Sequence, residues 1–283
     1  MKPREMLYML GLRAAARTYG HEVLSFDLAV DGSVQYARWL HPREAGRALE
    51  QDVVTELRTF VKPGGVAIDV GAHTGDSTVP MALAVGKAGC VLALEPNPYV
   101  FPVLRKNSEL NPDKTNIIPL MFAATPADGP VEFEYSDAGF CNGGRHEGVS
   151  RWRHGHAFKL RVAGRNLESY IRGDHPDLLP RIRYIKIDAE GYDLEVLKSI
   201  RGLVEEVRPW LKVEVFTRSP RGRREALVAF LEGLGYVLRR VVSEHEYRGE
   251  PVGTRDVMRW RSFDIFCTPR DRTGPNAAAR DQH

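Results

Sequence analysis

Three acidic side chains stand at or beside the ends of short apolar runs in this chain of 283 residues. They are Asp69, Glu95 and Asp188. Apolar runs of about five residues, bounded by turn signals, are typical of buried strands. Because open α/β sheets bind ligands at the carboxyl ends of their strands, we expect these acids to face a ligand crevice.

A glycine-spaced loop, Gly-Ala-His-Thr-Gly at residues 71–75, follows the first of these runs. Gly71 can adopt backbone angles that other residues avoid, and Gly75 lets the next helix pack closely, so a ligand can lie against bare backbone at a helix N-terminus. A structural turn without a ligand is the alternative. The residues that we expect to bind a cofactor here are Asp69, Gly71, His73, Thr74 and Gly75.

The charges of this loop indicate which cofactor it binds. His73 takes the place of the middle glycine of a G-x-G-x-x-G dinucleotide motif, and Asp76 stands at the mouth of the next helix. A pyrophosphate would meet that carboxylate, whereas a cationic group would be attracted to it. The loop therefore favours S-adenosylmethionine (SAM), which carries sulfonium and ammonium charges, and disfavours an NAD-dependent oxidoreductase.

Further residues are candidates for the same cofactor. Glu95 follows Asp69 by one strand, one helix and one loop, the position at which a carboxylate accepts hydrogen bonds from both ribose hydroxyls. Ala123, beside Phe122, leaves room for an adenine ring after a third strand. Glu50 lies in a helix predicted over residues 41–60 and either is solvated or reaches the cofactor. A surface acid that opens the next helix is the alternative for Glu95.

Two carboxylates and a glycine, Asp188, Glu190 and Gly191, follow the fourth predicted core strand. A hydroxyl acceptor must lose a proton when it is methylated, and a histidine or a carboxylate of raised pKa can take that proton. Capping of the next helix is the structural alternative, and the same carboxylates could hold Mg²⁺. The candidate bases are Asp188 and Glu190, ranked first by location, with Glu214, His154 and His156.

Residues 136–165 form an insertion that is rich in turns, arginine, lysine and histidine. A loop of this length in a compact domain is a lid, a binding loop or a solvated segment. As a lid, its cations would meet an acidic or phosphorylated small-molecule or glycan acceptor. Among its basic residues, the interleaved aromatic residues that could stack on bases are limited to Trp152 and Phe158, so a nucleic-acid partner is disfavoured.

Composition limits the class of protein. The hydrophobic content is 43% and the net charge only +3, which suits one α/β domain with an appendage and favours no polyanionic partner. Three widely spaced cysteines indicate reduced thiols and a cytoplasmic protein, and no apolar stretch is long enough to span a membrane. The sequence leaves the oligomeric state open, with a homodimer as one option.

The predicted elements divide the chain into three parts. Residues 1–60 are expected to form an extension, with a helix over residues 1–20 and a hairpin that turns at Asp31 and Gly32. Residues 61–269 form the main domain, and residues 270–283 a disordered tail. Two late strands with no long helix between them suit an antiparallel edge of the sheet.

The chain resembles the FkbM family of SAM-dependent methyltransferases. The resemblance rests on residues 66–75, on residues 94–98, which include Glu95 and Pro96, together with residues 104–107, on residues 185–191 and on residues 213–215. Of these, the Asp-x-Glu-Gly element at residue 188 is the most specific.

The resemblance implies a class I Rossmann-like α/β fold, with a seven-stranded, mostly parallel sheet in the order 3-2-1-4-5-7-6. It also implies SAM over the tips of the first strands, with Pro96 beside the ribose acid Glu95, and O-methylation of a sugar or natural product. Asp188 and Glu190 would then lie near the transferred methyl group. His73 departs from the asparagine that is usual in the family, and Pro102 interrupts the helix after Glu95.

Other functions of the same fold remain to be weighed. A base N-methyltransferase would carry an Asn/Asp-Pro-Pro-aromatic stretch after the fourth strand, which is absent here. An N-methyltransferase acting on a peptide or small amine stays open, because the acceptor atom leaves no mark in the sequence. A SAM-binding module without catalysis would be expected to lose the acids near Asp188, which are present.

Overall fold

The computed structural model describes residues 17–44, 46, 48–135, 143–144 and 158–272. Most of the predicted N-terminal helix lies outside these residues, and residues 17–20 are not helical. The candidate base His154 and its neighbour His156 also lie outside them, as do most of the insertion and of the predicted tail.

Strands and helices alternate along the chain. The strands are β1 (His21–Leu28), β2 (Gly32–Trp39), β3 (Val66–Val70), β4 (Cys90–Leu94), β5 (Ile117–Leu120), β6 (Ala123–Ala124), β7 (Gly129–Tyr135), β8 (Gly143–Gly144), β9 (Phe158–Arg165), β10 (Ile182–Ile187), β11 (Trp210–Val215), β12 (Tyr236–Arg240) and β13 (Phe263–Pro269). The α-helices are α1 (Gln51–Arg58), α2 (Thr78–Val85), α3 (Phe101–Glu109), α4 (Leu167–Asp174), α5 (Asp193–Ser199), α6 (Arg201–Val207) and α7 (Arg221–Gly233).

A seven-stranded sheet, in the order β12-β13-β11-β10-β3-β4-β5, forms the centre of the fold. The neighbours from β11 to β5 pair in parallel, and β13 runs antiparallel to both β11 and the edge strand β12. This is the order 3-2-1-4-5-7-6, so the predicted class I Rossmann-like fold is confirmed. The first strand, β3, therefore lies beside the fourth, β10, and their carboxyl ends meet.

Side chains alternate across this sheet and build a core on each face. Ile68 and Ile185 pack into the cluster that includes residues of α4 to α7, whereas Ala67 and Tyr184 face the cluster under α1 and α2. Both faces are covered, which explains why β3 and β4 are buried at every residue and read as continuous apolar runs.

The hairpin β1–β2 lies against the helix α3 and is tied to it by asparagine side chains. Asn107 accepts a hydrogen bond from the backbone N–H of Ala37 and donates to the carbonyls of Ala37 and Thr74. The predicted hairpin is thus present; β2 begins at Gly32, whose φ of 67° suits a glycine. The domain boundaries at residues 60 and 269 stay predictions.

Two helices begin later than their sequences predict. The helix predicted over residues 41–60 begins only at Gln51, and Pro42 and Gly46 in its first half are poor helix formers. The helix α3 starts at Phe101, so that Pro102 lies in its first turn, where a missing N–H costs little. Glu50 consequently precedes α1 in an extended conformation instead of lying within a helix.

A smaller sheet, in the order β6-β9-β7-β8, stands beside the carboxyl end of β5. Among the described residues, no helix is long and apolar enough to cross a membrane. Cys90 and Cys267 are free thiols in the core, as predicted, and Cys141 lies outside the described residues.

The close approach of the loop after β3 to the end of β10 generates a prediction. Gly71 has a φ of 82°, and a Cβ there would clash with the backbone carbonyl oxygen of Asp188. We expect Gly71→Ala to lower the free energy of unfolding by on the order of 3 kcal/mol or more, because neither backbone can move aside.

Gly64→Ala is the matched control for denaturant unfolding of this variant. Gly64 has nearly the same φ, 81°, but open space where its Cβ would be, so it should lose only about 1 kcal/mol. Equal losses in the two variants would show that the contact with Asp188 does not matter.

Candidate functional site

A cavity of about 540 Å³ opens at the carboxyl ends of β3, β4 and β10. One wall comes from the 122–125 segment and from Phe133 and Tyr135 of β7, and α1 and α2 form another. Eight of the residues predicted for the site line it, and they are Glu50, Gly71, His73, Glu95, Pro96, Ala123, Asp188 and Glu190.

Asp69 is placed differently from the prediction, which had it facing the crevice. Its carboxylate is fully buried (0% exposed) and accepts hydrogen bonds from the hydroxyls of Ser77 and Thr78, both at 2.7 Å. The Nζ of Lys186 lies 3.4 Å away. Asp69 therefore fastens the glycine loop to α2 and β10 and does not line the cavity.

Thr74 and Gly75 also lie behind the loop and do not line the cavity. The Thr74 hydroxyl shares a hydrogen bond of 2.8 Å with the hydroxyl of Tyr36 on β2. Gly75 has a φ of 96°, and a Cβ there would lie 3.2 Å from Leu104 of α3. These two residues therefore support the loop by packing.

Glu95 follows β4 and points into the cavity with its carboxylate held in place. One oxygen accepts the backbone N–H of His73 at 2.9 Å, and the other accepts that of Asn97 at 2.8 Å. The pKa of Glu95 is raised above its usual value, because burial outweighs the opposing effects of His73 and the two N–H groups. A carboxylate oxygen can accept more than one hydrogen bond, so both oxygens can also take the hydroxyls of a ribose.

The cavity beside Glu95 has a flat, largely apolar wall. Phe122, Ala123 and Ala124 line it together with Pro96. Small side chains next to an aromatic ring leave a slot in which a planar base could stack. These residues include the ones predicted to contact an adenine, and that assignment stays a prediction.

His73 and Glu50 both line the cavity. The backbone of His73 has a φ of 48°, and its ring contacts Trp39 edge-on with centroids 5.7 Å apart. Its buried Nε2 has no hydrogen-bond partner within the described residues. Glu50 is exposed and lines the rim.

Residues 188–193, here called the acidic turn, present Asp188 and Glu190 to the cavity. Asp193 holds this turn, because its carboxylate accepts the backbone N–H groups of Ala189 at 2.8 Å and Gly191 at 3.0 Å. Glu190 has a φ of 52°, which is unusual for a residue with a side chain.

The acidic turn sets the two candidate bases apart electrostatically. Burial and the neighbouring carboxylate of Asp188 raise the pKa of Glu190 to about 7, although Arg218 and Lys186 act in the opposite direction. Asp188 lies 3.4 Å from the Nζ of Lys186. Glu190 can therefore exchange a proton near neutral pH, whereas Asp188 is paired with a lysine.

Lys186 joins the two sides of the site. Its Nζ lies 3.4 Å from carboxylate oxygens of both Asp69 and Asp188. Burial lowers the pKa of Lys186, but Asp69, Asp188 and further carboxylates raise it well above its usual value. The lysine is thus charged and holds the loop after β3 next to the acidic turn.

The far end of the cavity is formed by residues that the sequence does not predict for the site. There, buried Lys212 (3% exposed) contacts Glu244 at 2.9 Å and Asp264 at 3.3 Å, and its ammonium lies 5.1 Å from the ring centroid of Tyr247. A signal was available, because a lysine inside a buried apolar strand is rare unless it is paired. The connection that carries Glu244 and Tyr247 has no recognisable pattern.

A metal site is not supported by the arrangement of these acids. Within the described residues, no group of three or more His, Cys, Asp or Glu side chains is placed to hold a metal ion. The Mg²⁺ hypothesis therefore gains nothing from the structure. The residues present fit SAM better, since one cavity contains the oriented carboxylate of Glu95, a flat apolar slot and exposed loop backbone.

Comparisons with solved structures find related folds at low similarity. A methyltransferase FkbM from Methylobacillus flagellatus KT superposes with a TM-score of 0.44 and 14% identity, over 76% of this chain and 50% of that one. A SAM-dependent O-methyltransferase from Thermotoga maritima gives a TM-score of 0.41 and 12% identity, over 88% of this chain and 77% of that one. The fold assignment rests on the strand order itself.

Sequence comparison identifies the family. Hexuronic acid methyltransferase AglP of Haloferax volcanii is 30% identical over 161 residues, which are 56% of this chain and 59% of that protein. Methyltransferase sdnD of Sordaria araneosa is 30% identical over 195 residues, or 61% of this chain and 74% of that protein. The family model described as the methyltransferase FkbM domain matches residues 69–238, and the chain therefore belongs to the FkbM methyltransferase family.

Proposed function

We propose that this chain is a SAM-dependent O-methyltransferase that acts on a hydroxyl group of a sugar or natural product. One observation supports the proposal above others: Glu95, held by two backbone N–H groups, and the acidic turn line the same cavity. One element is suited to an adenosine and the other to a reacting hydroxyl.

SAM would supply an electrophilic methyl group on a sulfonium. Glu95 would hold the ribose, with Pro96 and Ala123 along the adenine. The loop backbone at Gly71 and the His73 side chain would lie along the methionine part, where Asp76 favours its ammonium group. Walls from α1 and β7 would shield the bound groups from water and hold the acceptor in line with the methyl group, which is where much of the rate of a displacement arises.

Glu190 is the candidate general base. It lines the cavity, and with a pKa of about 7 a large fraction of it is deprotonated at neutral pH while it remains basic enough to take a hydroxyl proton. Asp188, paired with Lys186, would orient the acceptor by accepting a hydrogen bond. His154 and His156 stay predictions.

The charge of the cavity bears on the acceptor. AglP is named for a hexuronic acid, an anionic sugar. Among the described lining residues, however, carboxylates outnumber cations. An acidic acceptor would therefore depend on cations from the 136–165 insertion, whereas a neutral hydroxyl acceptor needs none. The carboxylates are Glu44, Glu50, Asp76, Glu95, Asp188, Glu190, Glu244 and Asp264, and the cations are Arg43, Lys186 and Lys212.

The same acidic lining favours a second candidate, an N-methyltransferase acting on a small amine, because carboxylates attract an ammonium group. Transfer of labelled methyl groups from SAM to a panel of neutral sugars, uronic acids, polyketide alcohols and amines separates the candidates. Labelling of a hydroxyl supports the proposal, and labelling of amines alone would replace it with the second candidate.

Replacing the candidate ribose acid tests cofactor binding. We expect Glu95→Ala to weaken SAM binding by about 1–3 kcal/mol, the scale for loss of a charged hydrogen-bond partner, as measured by calorimetry. Glu109→Ala, an exposed acid on α3, is the control and should bind SAM as the wild type does. Unchanged affinity in Glu95→Ala would remove this residue from the cofactor site.

Replacing the candidate base tests the mechanism. In the wild type, kcat should rise with pH through about 7, because Glu190 acts only when deprotonated. We expect Glu190→Gln to lower kcat by about 10²–10⁴-fold and to abolish that rise, with SAM affinity unchanged. A variant that keeps both the rate and its pH dependence would show that another group is the base.

A further inference from the structure

Glu214 lies at the carboxyl end of β11, opposite Asp264 of β13 in the sheet register. It is a candidate base by sequence, yet it does not line the large cavity. Instead it borders a separate void of about 10 Å³ on the other side of the acidic turn, together with Gly191 and Asp193. Its position is that of a group behind the reacting carboxylates.

Two polar atoms of residues that border this void have no hydrogen-bond partner within the described part of the chain. They are Oε2 of Glu214 and Nε of Arg224. Arg224 is only 3% exposed, and its other nitrogens already donate to four backbone carbonyls. An N–H group left unpaired in such a position carries a large cost, so a further partner is expected.

The void is large enough for one water molecule. A volume of about 10 Å³ is near the minimum for a water, which also needs two to four polar partners. A water there would accept the Nε–H of Arg224 and form a hydrogen bond with Oε2 of Glu214. Asp193, which borders the same void, offers a further acceptor.

The charges that face Glu214 come from every element around it. The acidic turn contributes Asp188, Glu190 and Asp193, β13 contributes Asp264, and α7 contributes Arg224 and, beside the void, Arg223. Burial first, and then these four carboxylates, raise the pKa of Glu214 far above its usual value.

Within the described residues, neither cation forms a salt bridge with Glu214. Arg223 is paired with Glu195 on α5, and Arg224, although it faces Glu214, donates its hydrogen bonds to backbone carbonyls. A buried carboxylate without a salt bridge is more costly than the neutral acid, which can donate its proton to the water.

We propose that Glu214 is a positioning residue: as a neutral carboxylic acid, linked to Arg224 by one internal water, it supports the acidic turn that presents Asp188 and Glu190. The inference rests on the proposed function for the role of that turn. Asp193 fixes the turn from within through Ala189 and Gly191, and a neutral Glu214 behind it adds support without adding charge.

Infrared spectroscopy tests the protonation of Glu214 without any acceptor. The C=O stretch of a protonated carboxyl group is separate from that of a carboxylate. At neutral pH we expect a protonated-carboxyl band in the spectrum of the wild type, to which Glu190 also contributes; Glu214→Gln should weaken this band, and the exposed control Glu205→Gln should leave it unchanged. Identical spectra of the wild type and Glu214→Gln in this region would overturn the proposal.

The pH dependence of stability gives an independent reading. The pKa of Glu214 is raised in the folded state. Above the usual carboxyl pKa, the folded protein therefore binds more protons than the unfolded chain. As pH rises, the contribution of Glu214 to the free energy of unfolding falls. From pH 5 to pH 8 the Tm of the wild type should fall relative to that of Glu214→Gln. A constant difference between them would contradict a neutral Glu214.

Methyl transfer separates positioning from catalysis. Glu214→Gln keeps a neutral polar group, and we expect its kcat and pH profile to match those of the wild type. Glu214→Ala removes the partner of the water and should lower kcat by about 10–100-fold at unchanged SAM affinity. Equal losses in both variants would overturn the proposal; if Glu214→Ala does not fold, the infrared and Tm measurements decide. A wild type that does not bind SAM would refute the proposed function alone.

Discussion

The site depends on a chain of charges that runs from the buried Asp69 through the buried Lys186 to the partly exposed Asp188. Because β3 and β10 are parallel neighbours, the glycine loop after one strand and the acidic turn after the other come together, and the lysine between them holds both. Removing one member of a buried ion pair leaves an uncompensated charge, so substitution of a single member is strongly destabilising. The close contact at Gly71 reinforces the same junction.

Carboxylates at one edge of the sheet acquire different roles from their surroundings. Asp69 accepts hydrogen bonds from two hydroxyls and pairs with a lysine, so its role is structural. Two backbone N–H groups orient the Glu95 carboxylate, which still faces the cavity. Burial and the neighbouring Asp188 raise the pKa of Glu190 to about 7, so proton transfer becomes available to it. All three residues carry a carboxyl group, and their burial and hydrogen-bond partners determine their different roles.

The sequence was sufficient for much of the fold, because apolar runs such as Val66–Val70 mark buried strands and their order follows from the family resemblance. It placed Glu95 and the acidic turn correctly at the cavity. It misjudged the direction of Asp69, since which way a strand-end side chain points depends on packing against Ser77 and Thr78. It also missed Lys212 and Tyr247, which reach the cavity through tertiary contacts that no local pattern encodes.

The central claim is that one cavity binds SAM with its ribose on Glu95 and its methyl group toward the acidic turn. A crystal structure with bound S-adenosylhomocysteine tests this most directly. The account predicts both ribose hydroxyls within hydrogen-bonding distance of the Glu95 carboxylate and the sulfur facing Asp188 and Glu190. A product molecule bound elsewhere, or one whose sulfur faces away from that turn, would contradict it.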